Sequence, residues 1–183
     1  MSYEADEILA EFGYGLDQSR LNLPKSGRSL VGVADLQARM EEMLGLVSLS
    51  SATARRETLV APALFEVAHY CQCQVRIEYP LQVSAWLRGN LDYFLKRDAN
   101  LLVVEAKNAD LSRGFTQLAV ELIAISEVED GDIFYGAVTT GDMWRFGRLD
   151  RSSHQISQDI TLYRILDDLE NLLLILLGIL EDM

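Results

Sequence analysis

The sequence predicts a mixed α/β domain, a β-sheet flanked by helices, and three observations carry that expectation. Apolar residues recur at three- and four-residue spacing over about 53–70, 115–128 and 165–180, which is the helical period. Alternating or wholly apolar runs at about 75–79, 91–96, 101–106 and 133–138, each bounded by turn residues, read as strands. The two kinds of segment alternate along a chain of 183 residues that is 49% hydrophobic and 24% charged, enough for one domain with an ordinary core.

Residues 1–50 are the least regular. Asp35 is suited to cap a short helix to Leu44, with Leu36, Met40, Met43 and Leu44 on one stripe. Residues 13–34, with four glycines and one proline, read as loop with an edge strand. The expected division is an N-terminal extension, 1–50, that packs on the core or on a partner, and a main domain, 51–183.

The helix over 53–70 has Val60, Leu64, Val67 and Ala68 on its apolar stripe, and Pro62 is read as a first-turn residue or a mild kink. Glu57 lies three and seven residues before Val60 and Leu64, so it falls on the inward stripe. Glu66, nine residues after Glu57, falls on the opposite side, which makes Glu57 the acid expected to face the sheet. A half-buried strand follows at Val75, Ile77 and Tyr79 and ends at Pro80, and the segment around Trp86 leads into the next hairpin.

That hairpin is the most informative stretch of the chain. Arg97-Asp98-Ala99-Asn100 forms the turn, and a loop of two or four residues there pairs positions whose numbers sum to 197, so Asp92 stands opposite Glu105. Opposed residues on antiparallel strands hold their Cβ atoms about 4.5–5.5 Å apart, a distance at which like charges repel. A divalent cation between the two carboxylates removes that repulsion. Lys107, two residues on, projects from the same face as Glu105 and is left to meet an anion held by the cation. An odd-numbered loop would shift the register by one and separate the acids.

The helix over 115–128 buries Phe115, Leu118, Leu122 and Ile125 and carries Gln117 and Glu121, four apart, on one flank. A buried strand over 133–138, a turn at Gly141-Asp142, a return strand over 144–149, a strand near 160–163 and a final helix complete the order. Between Leu172 and Leu180 that last helix is apolar nearly all round, so it lies either deep in the fold or in a subunit contact. A homodimer through this helix is the favoured expectation.

Composition narrows the function. The longest apolar run, nine residues from Leu172 to Leu180, is far below the roughly 20 of a membrane span, and the acidic start lacks an export signal, so a cytoplasmic location is expected. Cys71 and Cys73 are too close to staple a fold and read as reduced core residues. With His69 and His154 they make no credible zinc set, and both histidines read as structural. The net charge of −12 argues against a simple nucleic-acid binder, yet residues 51–158 carry only −3 of it, with 11 bases against 14 acids. Arg55, Arg56, Arg88, Lys96, Arg97, Arg113, Arg145, Arg148 and Arg151 are the bases there that phosphates would meet, or else a solvated and unclustered set.

The order helix, strand, strand with Asp, strand with Glu-x-Lys, helix, strand, strand resembles the PD-(D/E)XK phosphodiesterase superfamily, the restriction-endonuclease-like fold, over about residues 53–164. Gly89-Asn90-Leu91-Asp92-Tyr93, Val103-Val104-Glu105-Ala106-Lys107 and Gln117 carry the resemblance. Glu57-Thr58-Leu59-Val60 and Thr139-Thr140-Gly141-Asp142-Met143-Trp144 look like the N-terminal nuclease domain of type I restriction subunits, without the motor domains of those subunits. No proline precedes Asp92, and the acidic total is unusual for a DNA enzyme.

The resemblance implies a restriction-endonuclease-like fold and Mg²⁺-dependent cleavage of DNA, with Mn²⁺ as a substitute. It assigns Asp92 and Glu105, helped by the Ala106 carbonyl, as metal ligands, and Lys107 as the group that orients the attacking water or steadies the developing charge. Glu57 becomes the helix acid that completes the site through water, and Gln117 the supporting residue of the second helix. Glu121 has no firm counterpart. These residue types suit the chemistry in their own right, since Mg²⁺ prefers carboxylate oxygens and keeps several waters. The alternative is a non-catalytic scaffold of the same fold that works through protein partners, drawn to its acidic flanks and apolar tail. A small-molecule enzyme is disfavoured because no nucleotide-cradling glycine loop or catalytic triad pattern is present.

Overall fold

Strands β3 (Arg88–Arg97) and β4 (Asn100–Ala106) are joined by a two-residue turn in which Asp98 takes a left-handed backbone (φ 52°). Their pairs, from Arg97 with Asn100 to Tyr93 with Val104, all sum to 197, the register expected from the even loop. The computed structural model describes residues 4–84, 87–107 and 110–181, so the expected segment around Trp86 lies partly outside the described residues.

Before this hairpin come α1 (Ala5–Glu11), β1 (Gly15–Ser19), α2 (Val33–Leu46), and a long helical stretch made of α3 (Ala52–Arg55), a π-turn (Arg56–Val60) and α4 (Ala61–Cys71), then β2 (Gln74–Gln82). After it come α5 (Leu111–Ser126), β5 (Ile133–Thr139), β6 (Met143–Asp150), β7 (Gln155–Asp159), β8 (Tyr163–Arg164) and α6 (Leu169–Glu181). The strands form one mixed sheet in the order β1-β7-β6-β5-β4-β3-β2, with β8 paired to β6. The β1–β7 and β4–β5 pairs are parallel and the others antiparallel.

Alternation along the central strands sorts the core into two layers. Tyr93, Leu95, Leu102 and Val104 face one side, where they pack with Leu59, Val60 and Leu64 of the long helical stretch and Leu172 and Leu176 of α6. Phe94 and Val103 face the other, against Leu9 of α1 and Phe115, Leu118 and Leu122 of α5. Helices thus cover both faces of the sheet. Residues 1–50 contribute to it directly: β1 completes one edge, while Leu36 and Met40 of α2 are buried in the first layer.

Several boundaries differ from the sequence expectation, each for a local reason. β2 does not stop at Pro80 but runs on to Gln82, because β2 is an edge strand and a missing N–H on its open side breaks no pairing. Helix α5 starts at Leu111 rather than Phe115, since the Asp110 carboxylate accepts the N–H groups of Ser112 and Arg113 and caps an earlier turn. The strand placed at 160–163 lies instead at Gln155–Asp159, with only Tyr163–Arg164 adding a short pair to β6. The polar sequence Gln-Ile-Ser-Gln-Asp becomes a strand because β1 and β6 supply ladders on both sides.

Helix α6 begins at Leu169, and from Leu172 to Leu180 its residues are buried apart from the half-buried Leu174. The chain covers this helix itself, in part by laying an extended segment over Gly178, where an added Cβ would stand 2.6 Å from backbone atoms of Pro24 and Lys25. Its apolar circumference therefore no longer calls for a second subunit. Among the described residues no helix is long and apolar enough to cross a membrane. Cys71 and Cys73 are free thiols, the first buried and the second half-buried.

Candidate functional site

The β3–β4 ladder ends at the Tyr93–Val104 pair, while β3 stays paired with β2 back to Arg88 and β4 stays paired with β5 out to Ala106. The sheet therefore splits just where Asp92 and Glu105 would be the next opposed pair. β2 and β3 also change face at this point: Val75, Tyr93 and Leu95 belong to one core layer, whereas Tyr79, Leu81 and Leu91 belong to the other. Glu78, which sits across from Asp92 between the Ile77–Tyr93 and Tyr79–Leu91 pairs, makes the change through a left-handed backbone (φ 51°). A non-glycine residue held there is strained, and such strain concentrates at functional positions.

Asp92 is fixed at the split from both sides. Its Oδ2 accepts the backbone N–H of Ala106 at 2.8 Å, tying it to the end of β4, and its Oδ1 accepts Arg56 Nη1 at 3.2 Å. Glu105 is buried, 2% exposed, and its Oε1 accepts from both Lys107 Nζ and Gln117 Nε2. The same Gln117 nitrogen lies 2.9 Å from Oε1 of Glu121, one helical turn further along α5. Asp92, Glu105, Lys107 and Gln117 are thus brought together.

Glu57 is not part of this cluster. It is exposed, although the helical phase expected it to face the sheet. The π-turn is the physical reason: Ala61 N–H bonds to the Arg56 carbonyl, five residues back, which inserts one residue into the stripe and turns Arg56 inward. The turn directly precedes Pro62, whose ring and missing N–H do not fit a standard α-turn. Glu66 is half-buried on α4.

Two members of the cluster were not singled out by the sequence. Arg56 was one base among nine. Its Nη1 also bonds Glu78 Oε1 at 2.6 Å, and its guanidinium lies 5.7 Å from the Tyr93 ring centre. Glu121 is buried, and the available signal was an acid three residues after Leu118 and one before Leu122, inside an apolar helix face. Beside it, between α5 and the open end of the β2–β3 ribbon, lies a cavity of about 230 Å³ lined by Leu81, Leu91, Gln117, Val120 and Glu121.

The electrostatics follow from this packing. Burial pushes the Glu105 carboxyl above its usual range, the Lys107 bond opposes that, and the Asp92 charge adds to it. Burial first, and the Glu105 charge second, push Glu121 up to about 8. The Arg56 guanidinium is held above its ordinary value even though burial pulls it down, because of its bond to Glu78 and the nearby Tyr93 and Asp92.

Donor chemistry decides whether these residues suit a hard cation. Oε2 of Glu105 and Oε2 of Glu121 are buried without a hydrogen-bond partner among the described residues. A buried acceptor left in that condition costs about 1–3 kcal/mol, and more when it carries charge. The unpaired Glu105 oxygen, with the Asp92 carboxylate at the same split, is of the kind Mg²⁺ prefers, so these two residues fit. As the side chains stand, no group of three or more His, Cys, Asp or Glu among the described residues is placed to hold a metal ion. Mg²⁺ needs no such group, because it keeps waters and uses one or two carboxylates with substrate oxygens.

The other bases of the middle region are mostly engaged. Lys96 pairs with Glu129 at 2.5 Å, Arg97 with Glu181 at 3.4 Å, Arg148 with Asp150 at 3.6 Å and Arg151 with Asp132 at 3.9 Å. Arg88 and Arg113 are exposed, on β3 and α5 respectively. Comparison with protein-family models, curated proteins and solved structures gives no match.

Proposed function

We propose that this chain is a metal-dependent nuclease that hydrolyses phosphodiester bonds in DNA with Mg²⁺, or Mn²⁺ in its place. The observation that carries the reading is the meeting of Asp92, Glu105 and Lys107 at the split in the sheet, with a buried Glu105 oxygen left unbonded. The resemblance to PD-(D/E)XK phosphodiesterases supports it in part, since Asp92, Glu105, Lys107 and Gln117, which it marks, meet at the split, whereas Glu57 does not.

Asp92 and Glu105 would hold the ion, with the Ala106 carbonyl as the backbone candidate. When bound, the ion supplies the positive charge that polarises a phosphoryl group toward attack by water. The remaining work belongs to the chain. The Ala106 N–H fixes the Asp92 carboxylate, and Gln117 fixes that of Glu105, so neither acid has to be ordered when substrate arrives. Lys107 places an ammonium with three donors beside Glu105, where it orients a water or faces the negative charge that grows on the phosphate. In the metal-free chain burial and the Glu105 charge hold the Glu121 carboxyl up at about 8, which limits the negative charge of an already acidic site.

A second reading, a non-catalytic scaffold acting through protein partners, is favoured by the net charge of −12. The two part in one experiment: purified protein with linear, supercoiled and branched DNA in Mg²⁺ or Mn²⁺, beside Asp92→Ala and Lys107→Ala. Cation-dependent cleavage lost in both variants supports the nuclease. No cleavage of any substrate, together with no Mn²⁺ binding by calorimetry, leaves the scaffold.

A further inference from the structure

Arg56 occupies an unusual place. Asp92 has two oxygens, and Oδ2 is tied to the backbone by the Ala106 N–H, so Oδ1 is the freer of the two to face a cation. That oxygen is the one Arg56 Nη1 approaches, at 3.2 Å. The same nitrogen sits closer to Glu78, at 2.6 Å, and the Glu78 side chain is half exposed, against 16% exposure for Asp92. Arg56 Nε is buried without a hydrogen-bond partner among the described residues. The guanidinium is therefore firmly held by one carboxylate, loosely held by another, and incompletely bonded.

We propose that Arg56 is a built-in counter-ion of the site, which holds Asp92 while no divalent ion is bound, yields that oxygen to the ion while staying anchored on Glu78, and then meets the substrate phosphate. The proposal rests on the nuclease reading and assigns to it a further residue that contacts the substrate. Three features support it. The π-turn that aims Arg56 is a rare helical form that recurs at functional sites. Glu78 is kept in a strained backbone directly opposite Asp92, which puts the two carboxylates on either side of one guanidinium. A planar guanidinium also presents five donors in a fork that matches phosphate, so a group leaving Asp92 has a further use beside it.

Competition for a single oxygen predicts effects of opposite sign, which a merely structural bridge does not produce. Removing a positive charge within a few Å of a cation site strengthens cation binding, whereas removing a phosphate ligand weakens DNA binding.

The test uses the full chain stripped with EDTA. Mn²⁺ affinity is read by calorimetry, and affinity for a fluorescent DNA duplex is read in Ca²⁺, for wild type, Arg56→Gln, Arg56→Lys and Glu78→Gln. Arg56→Gln is expected to bind Mn²⁺ about tenfold more tightly or better and DNA about tenfold more weakly. Arg56→Lys, which keeps the charge, should stay near wild type for Mn²⁺ and lose part of the DNA affinity. Glu78→Gln should weaken Mn²⁺ binding several-fold, because Arg56 then has Asp92 as its remaining anchor. Equal or weaker Mn²⁺ binding by a folded Arg56→Gln overturns the counter-ion role and leaves the nuclease reading standing. Absence of Mn²⁺ binding in both wild type and Arg56→Gln overturns the two together.

Discussion

Replacing Glu121 by Gln should make the metal-free protein more stable near neutral pH and change little in acid. Glu121 is buried on α5 beside Glu105, and burial first and the Glu105 charge second raise its carboxyl from an ordinary 4.5 to about 8. Between those values the folded chain holds a proton that the unfolded chain releases. Stability contributed by this group is therefore greatest below 4.5, falls as pH rises toward 8, and is flat beyond. At about 1.4 kcal/mol per pH unit, the cost accumulated by pH 7 is about 3 kcal/mol. Glutamine has nearly the shape of the protonated acid, and its carbonyl still accepts from Gln117 Nε2, so it escapes that cost. Urea denaturation in EDTA at about pH 4.5, 6, 7 and 8 measures the difference between the two chains. The expected gap is near zero at the lowest pH and widens to about 3 kcal/mol at neutrality. A gap that does not grow with pH, or a variant less stable at pH 7 than wild type, would refute the account of Glu121 as a buried proton holder.

Gly114→Ala should impair cleavage more than folding. A Cβ there would stand 2.7 Å from Lys107 Cγ and from Val138 Cγ2, so the flexible lysine must move off Glu105, for a stability loss of about 1–2 kcal/mol and a roughly hundredfold loss of turnover, checked by denaturation and cleavage assays side by side. Gly178→Ala should act the other way, since its Cβ would meet backbone of Pro24 and Lys25 rather than a side-chain end. A loss of about 3 kcal/mol by urea denaturation, with cleavage unchanged at low temperature, is expected. Asp92→Asn should leave Arg56 with Glu78 alone and weaken Mn²⁺ binding at least tenfold by calorimetry, because a neutral amide contributes no charge to the ion.

The hairpin was legible because its information is local. An apolar run on each side of a short polar turn fixes an even register, and Asp98 accepts the left-handed backbone the turn needs. Gln117 was readable as a neighbour of the site only through the family resemblance, since spacing alone puts it on a helix flank with Glu121. Helical phase at a constant 100° per residue turns Glu57 toward the sheet, and the π-turn before Pro62 breaks that count and brings Arg56 there instead. Glu121 could be placed beside Gln117 but given no role, because periodicity rewards apolar residues on the inward face and treats an acid there as an interruption. β7 was missed for a different reason: Ile156 is the one apolar residue in Gln155–Asp159, and the strand owes its form to neighbours on both sides.

The parallel pairing of β1 with β7, Gly15 beside Gln155, has a kinetic consequence. During synthesis the first strand leaves the ribosome long before its partner exists, so its unpaired backbone and the apolar residues around it wait in the open. Closing so large a loop is slow by the measure of sequence separation, and the waiting intermediate is exposed to aggregation. Refolding from denaturant should therefore be slow, and expression should gain from lower temperature or chaperones more than from any change near the acidic cleft.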